Sequence, residues 1–246
     1  ILAVSLIRCD FTDLSPIDSF TDESYWTSVN DLKLYANSLY TNLSAPTAFG
    51  DNVSDNFVTT NYSSYLFNEL TIPAEASSSN GWYWNTIRNC NYFLQRYGKV
   101  SGSEAEINKY VAEVRFFRGL LYYDKIKSFG DVPWYEKDLQ PTDTEELYKT
   151  RDNRDFVLGK IIEDLQYAIK WLPTKDNAES GRLHKDAAKA QLARICLYYG
   201  TYKKYHNEAS TIDSLSSKSL LTKAAYLAKE IMNSGIYSIV IGCDVG

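Results

Sequence analysis

The run Trp82-Tyr83-Trp84-Asn85-Thr86-Ile87-Arg88-Asn89 brings two indoles and two side-chain amides close together in the chain. At 100° per residue along a helix, Tyr83, Ile87, Cys90 and Leu94 share one face, which is the core side. Trp84 falls at the flank of that face. Trp82, Asn85 and Asn89 then form an outward stripe over two turns. An exposed indole beside two amides suits a sugar, because the ring covers the C–H face of a pyranose and the amides bond its hydroxyls. Asp55, Asn56, Tyr62 and Tyr65, in the stretch just before, are its natural companions. The alternative is that Trp82 packs beneath that stretch and both asparagines face water.

Other reactive residue types form no comparable group. Cys90, Cys196 and Cys243 lie in no C-x-x-C arrangement, and His184 and His206 stand alone, so neither a zinc site nor any other metal or cofactor site is expected. Cys90 and Cys196 read as buried thiols on apolar helix faces. Arg115 and Arg118, with Glu113 and Asp124, read as helix-packing ion pairs. Tyr122-Tyr123 and Tyr198-Tyr199 read as interhelical packing with satisfied hydroxyls. Glu163 and Asp164 are adjacent in a helix and diverge by 100°, so they cannot converge on one substrate atom. A glycosidase would need two carboxylates across the scissile bond. Asp51, Asp55, Glu69 and Glu75 are the candidates, and no spacing marks two of them as a pair.

The elements that must position these residues are helical. Six segments have apolar residues at three- and four-residue steps. One follows Thr21-Asp22-Glu23 and carries Trp26, Val29, Leu32, Ala36, Leu39 and Leu43. The others span about 82–97, 104–128, 155–172, 185–202 and 220–233, with Phe129-Gly130-Asp131-Val132-Pro133 and Pro173 as stops. From 44 to 81 periodicity gives way to Pro, Asn, Ser, Asp and Thr, a loop of functional length. Alternating apolar residues occur only in the closing Tyr237-Ser238-Ile239-Val240-Ile241. The fold expected is all-α, an irregular TPR-like arrangement of antiparallel helix pairs without the consensus or the period of a true repeat.

Composition narrows the function classes. The 246 residues carry a net charge of −5, with no Lys/Arg block, which argues against a nucleic-acid partner. The aromatic content is large, with 20 Tyr, 10 Phe and 5 Trp. The opening Ile1 to Ile7 is too short for a membrane span, which needs about 20 residues. It reads as the end of a secretory leader, and Cys9 after it as a lipid-acylation site; the alternative is a buried N-terminal strand, which Arg8 favours because a small residue is usual before such a Cys.

Three passages together resemble the SusD/RagB family. They are Trp82 to Asn91; Ala112-Glu113-Val114-Arg115-Phe116-Phe117-Arg118-Gly119-Leu120-Leu121-Tyr122-Tyr123 leading to Phe129 to Pro133; and Gly181-Arg182 with Lys185-Asp186-Ala187-Ala188 and Leu192-Ala193-Arg194. The likeness covers roughly residues 10 to 238 and corresponds to the N-terminal half of such proteins. It divides the chain into a leader remnant with its lipobox-like Cys over 1–9 and a SusD-like helical domain over 10–246, truncated at its C-terminus. The resemblance implies a lipid-anchored, surface-exposed outer-membrane protein that binds oligosaccharide, without catalysis, for a SusC-like TonB-dependent transporter. Starch-binding members place a Trp and an Asn in the region of Trp82 and Asn85. A helical-barrel glycoside hydrolase and a TPR-like scaffold for a protein partner are the competing readings.

Overall fold

The computed structural model describes residues 25–43, 66–69, 71, 81–210 and 212–238. Among them are seven helices: α1 Val29–Leu39, α2 Asn85–Arg96, α3 Glu104–Phe129, α4 Thr144–Leu147, α5 Arg154–Trp171, α6 Lys185–Tyr205 and α7 Ser217–Asn233. The single β feature in the described residues is one antiparallel bridge between Val132 and Asp152. The all-α expectation holds. Asp55, Asn56, Tyr62, Tyr65 and Cys9 lie outside the described residues, as does most of the 44–81 loop and Ile239 to Gly246 of the closing stretch.

Local chemistry explains where the helices begin and end. Ser103 opens α3 with a capping box: its Oγ accepts from the Glu106 N–H at 3.3 Å, and the Glu106 carboxylate accepts from the Ser103 hydroxyl at 2.6 Å. Gly130, at φ +71°, ends α3 in a backbone conformation that side chains disfavour. Asn153 caps α5 by accepting from the Asp155 N–H at 2.8 Å, and Leu172-Pro173 closes it. His184 caps α6 with Nδ1, and His206 stacks on Tyr202 at 4.2 Å just past its end.

The centre of the molecule is α3. It buries residues around most of its circumference, from Tyr110, Val111 and Val114 to Phe116, Phe117 and Tyr122, as a helix enclosed by neighbours must. α5 runs antiparallel to it: Tyr167 Oη donates to Asn108 Oδ1 near one end, and Gly119 faces Ile161 and Leu165 near the other. α6 returns antiparallel to α5, with Lys203 Nζ on Asp155 at 2.6 Å. α7 returns along α6, with Ser217 donating to the Gly200 carbonyl and Glu230 paired with Lys189. α2 runs against both α3 and α1, placing Asn91 beside Arg118 and the Tyr35 hydroxyl on the Asn89 carbonyl.

Several expectations need correction. Trp26 is buried, as its apolar character requires, yet it precedes α1 and packs against Tyr35, Tyr92 and Phe93. α2 starts at Asn85, so Trp82 and Tyr83 are not helical, and Tyr83, expected in the core, is 49% exposed. Arg118 pairs with Asp164 of α5 rather than with Glu113 or Asp124. Glu113 pairs with Arg182, and Asp124 with Lys127. The reason is that α3 is enclosed: its buried charges must find partners on the elements packed over them. Tyr122 accepts from the Tyr135 N–H at 2.7 Å, but the buried Tyr199 hydroxyl has no hydrogen-bond partner among the described residues. Cys90 and Cys196 are free and buried, and burial pushes their thiols up to about 12 and about 11.

Candidate functional site

A cavity of about 390 Å³ opens between the start of α2 and the strap of chain linking α3 to α5. Its aromatic wall is Trp82, Trp84 and Tyr135. Trp82 meets Trp84 edge to face at 5.1 Å and Phe129 at 4.9 Å; Trp84 meets Tyr135 at 5.6 Å. Gly81, at φ +92°, turns the chain into this cluster, and its carbonyl accepts from Lys125 Nζ at 2.6 Å. Trp82 is therefore wedged between α2 and the end of α3, half-buried. The outward indole inferred from a helical stripe is replaced by one whose edge and neighbours are fixed.

The opposite wall comes from the strap 130–153, of which the sequence reading covers only the start, Phe129 to Pro133, as a helix stop and turn. Asn91, fully buried on α2, holds it. Its amide donates to the Tyr135 carbonyl at 2.8 Å and to the Lys137 carbonyl at 3.3 Å, while its Oδ1 accepts from Arg118 Nη1 at 3.0 Å. Arg118 in turn forks onto both Asp164 oxygens at 2.7 and 2.8 Å, the planar bidentate geometry that suits buried guanidinium. Arg88 reaches Asp138 at 2.9 Å and the Leu139 carbonyl at 3.3 Å. At the far end the Asp152 carboxylate accepts from the Trp134 N–H at 2.7 Å, and Lys149 Nζ donates to the Trp134 carbonyl at 2.6 Å.

Of the residues expected to form a site, the structure brings Trp82 and Trp84 together at the cavity. Asn85 and Asn89 are exposed and do not line it. The late start of α2 is the cause, since it removes Trp82 from the stripe that the two asparagines share. The residues missed were Asn91, Tyr135, Lys149 and Arg151. Asn91 carried a signal: it lies one turn beyond Ile87, on the apolar face, where a polar side chain must have a partner. The strap residues carried none, because their contacts are long-range. No carboxylate lines the cavity, and among the described residues no group of His, Cys, Asp and Glu is arranged to hold a metal.

The arrangement can receive a flat, partly apolar ligand against the indoles and bond its polar edge from the strap. The sequence pattern of a SusD-like family, described as starch-binding and associating with the outer membrane, matches residues 13–197. SusD-like protein P2 of Formosa agariphila is 26% identical over 230 residues, covering 86% of this chain and 44% of the relative. A SusD-like protein of Bacteroides fragilis superposes with a TM-score of 0.63 at 22% identity, over 92% of this chain and 42% of that one. A SusD-like carbohydrate binding protein of the same species gives 0.62 at 22% identity, over 87% and 42%. The chain thus spans less than half the length of these relatives, and the structural likenesses are likenesses of fold.

Proposed function

The chain belongs to the SusD-like family, and from that membership we propose that it is a glycan-binding, non-catalytic component of an outer-membrane uptake system. In this reading Cys9 carries the lipid anchor, residues 10–246 form the N-terminal half of the binding protein, and bound oligosaccharide passes to a SusC-like TonB-dependent transporter. The observation that carries the binding role is the cavity walled by Trp82, Trp84 and Tyr135. Its volume falls within the range of about 300–1,000 Å³ usual for small-molecule sites. Edge-to-face packing holds each indole in place, so little side-chain freedom is lost when a sugar ring settles on it. Asp55, Asn56, Tyr62 and Tyr65 are proposed as further contacts from the 44–81 loop, with Asn85 and Asn89 at the outer margin.

Calorimetry of the whole protein with a panel of oligosaccharides tests the binding role. Weak, saturable binding is expected, lost by about tenfold or more in Trp82→Ala, in line with the energies of exposed aromatic contacts. Binding that survives Trp82→Ala unchanged would place the ligand elsewhere. Release of reducing sugar from any of the panel would replace the binding role with catalysis. Co-purification with a large outer-membrane barrel tests the transporter partner, and metabolic labelling with a fatty acid in wild type against Cys9→Ala tests the anchor.

A further inference from the structure

We infer that the cavity is built for an anionic saccharide, whose acid group is held by Arg151 and Lys137 while the indoles carry its ring faces. This rests on the glycan-binding reading above and adds to it the charge class of the ligand.

Four cations line the cavity, Arg88, Lys137, Lys149 and Arg151, with no carboxylate among the lining residues. Two of the four are already neutralised. Arg88 faces Asp138 at 2.9 Å, and Lys149 faces Asp152 at 3.3 Å and Glu146 at 3.5 Å. Arg151 and Lys137 have no carboxylate at ion-pair distance among the described residues. Both are exposed at the cavity. The chain as a whole carries a charge of −5, so unpaired positive charge at this mouth runs against the general sign of the molecule. A concave cationic surface of this kind concentrates anions.

The placement of Arg151 makes the charge specific rather than diffuse. Its guanidinium lies 5.0 Å from the centre of the Trp82 ring, over its face, and its one backbone contact is Nη1 to the Asp131 carbonyl at 3.5 Å. Contact with the indole holds the guanidinium at the cavity, and the bond to the Asp131 carbonyl engages only one of its five N–H donors. A guanidinium fork with donors to spare matches the two oxygens of a carboxylate or of a sulfate ester. A neutral sugar would engage the indoles but leave both cations without an anion. A uronic acid or a sulfated sugar would use both features at once.

The test is calorimetry of the whole protein with three tetrasaccharides: an oligogalacturonate, a sulfated galactan fragment and a neutral β-glucan. In dilute buffer the acidic ligands are expected to bind about tenfold more tightly than the neutral one, an advantage that disappears near 0.5 M salt (roughly) as screening removes it. Arg151→Gln with Lys137→Gln should abolish the advantage, the acidic ligands then binding no more tightly than the neutral one to the same variant. Lys218→Gln, at an exposed cation of α7 that does not line the cavity, serves as the control and should leave the preference unchanged. A larger loss for the uronate than for the sulfate identifies carboxylate as the recognised group, and the reverse identifies sulfate. Equal binding of acidic and neutral ligands in dilute buffer, or a double variant that retains the preference, overturns the charge assignment alone. Absence of binding by all three, with no response to Trp82→Ala, overturns the glycan reading beneath it.

Discussion

Asn91 holds Tyr135 in the cavity wall: the fully buried amide of α2 donates to the Tyr135 carbonyl at 2.8 Å while its own oxygen accepts from Arg118. A single side chain thereby connects the helical core to the strap that walls the cavity. The connection is a chain of polar contacts on a buried side chain, so every member depends on the others.

Asn91→Leu keeps the volume but leaves an Arg118 N–H and two strap carbonyls without their partner. A loss of about 1–3 kcal/mol is expected in urea unfolding, the usual cost of stranding a buried polar group. Because the strap carries one wall of the cavity, oligosaccharide binding should weaken in the same variant while helical circular dichroism is kept. Unchanged stability would mean that the strap is held by its other bonds.

Removing one partner of the Arg118–Asp164 pair should be more costly. Arg118 is 6% exposed and Asp164 1% exposed, so Asp164→Ala strands a buried guanidinium. About 3–5 kcal/mol is expected. Arg118→Met combined with Asp164→Leu should recover much of that, since apolar replacements of both partners remove the desolvation cost. The same unfolding measurement on both variants decides it, and a double variant no better than the single would show the pair to be irreplaceable.

Two glycines inside helices should respond oppositely to alanine. At Gly159 of α5 the nearest neighbour of a new Cβ is Leu215 at 3.9 Å, ordinary contact. Gly159→Ala should therefore stabilise by about 0.5–1 kcal/mol through helix propensity. At Gly200 of α6 a Cβ would stand 2.7 Å from Leu221 Cγ and 3.2 Å from its backbone nitrogen. Overpacking costs about 1–3 kcal/mol and outweighs the propensity gain. Gly200→Ala should lower the thermal midpoint, and a midpoint at or above wild type would show that α6 and α7 separate without cost.

The tyrosines predict an alkaline limit to stability. Desolvation by burial raises the Tyr35, Tyr40, Tyr122 and Tyr199 phenols above their ordinary value near 10 and pushes Tyr123 up to about 12. The folded chain keeps protons that the unfolded chain releases, so this stability is complete below about pH 10 and is lost as pH rises beyond it. Phenolate absorbance should rise in two stages, the second coinciding with loss of helical circular dichroism. A single stage near pH 10, with the helices intact, would contradict the burial of these rings.

How much was legible in the sequence can be judged from particular residues. α3 was readable almost to the residue because a capping box begins it and Gly130 ends it, both local signals. α2 was misplaced at its start because Trp84 occupies the N-cap without a capping side chain, so no Ser, Thr, Asp or Asn announced the boundary. That slip of less than one turn moved Trp82 off the asparagine stripe. The two indoles were identifiable from their types, and the structure sets them together at the cavity. The opposing wall was hidden because the strap owes its shape to Asn91, Arg88 and Asp152, contacts between residues far apart in sequence. The exchange of ion-pair partners between Glu113 and Arg118 was hidden for the same reason.

The bridge between Val132 and Asp152 closes the strap into a ring, and Asp152 pins its interior through Trp134. A wall closed before the ligand arrives has no folding left to do on contact. Its heat-capacity change on binding should then reflect only the small apolar area covered, far below what the ordering of a loop contributes. The enthalpy of binding would consequently vary little with temperature.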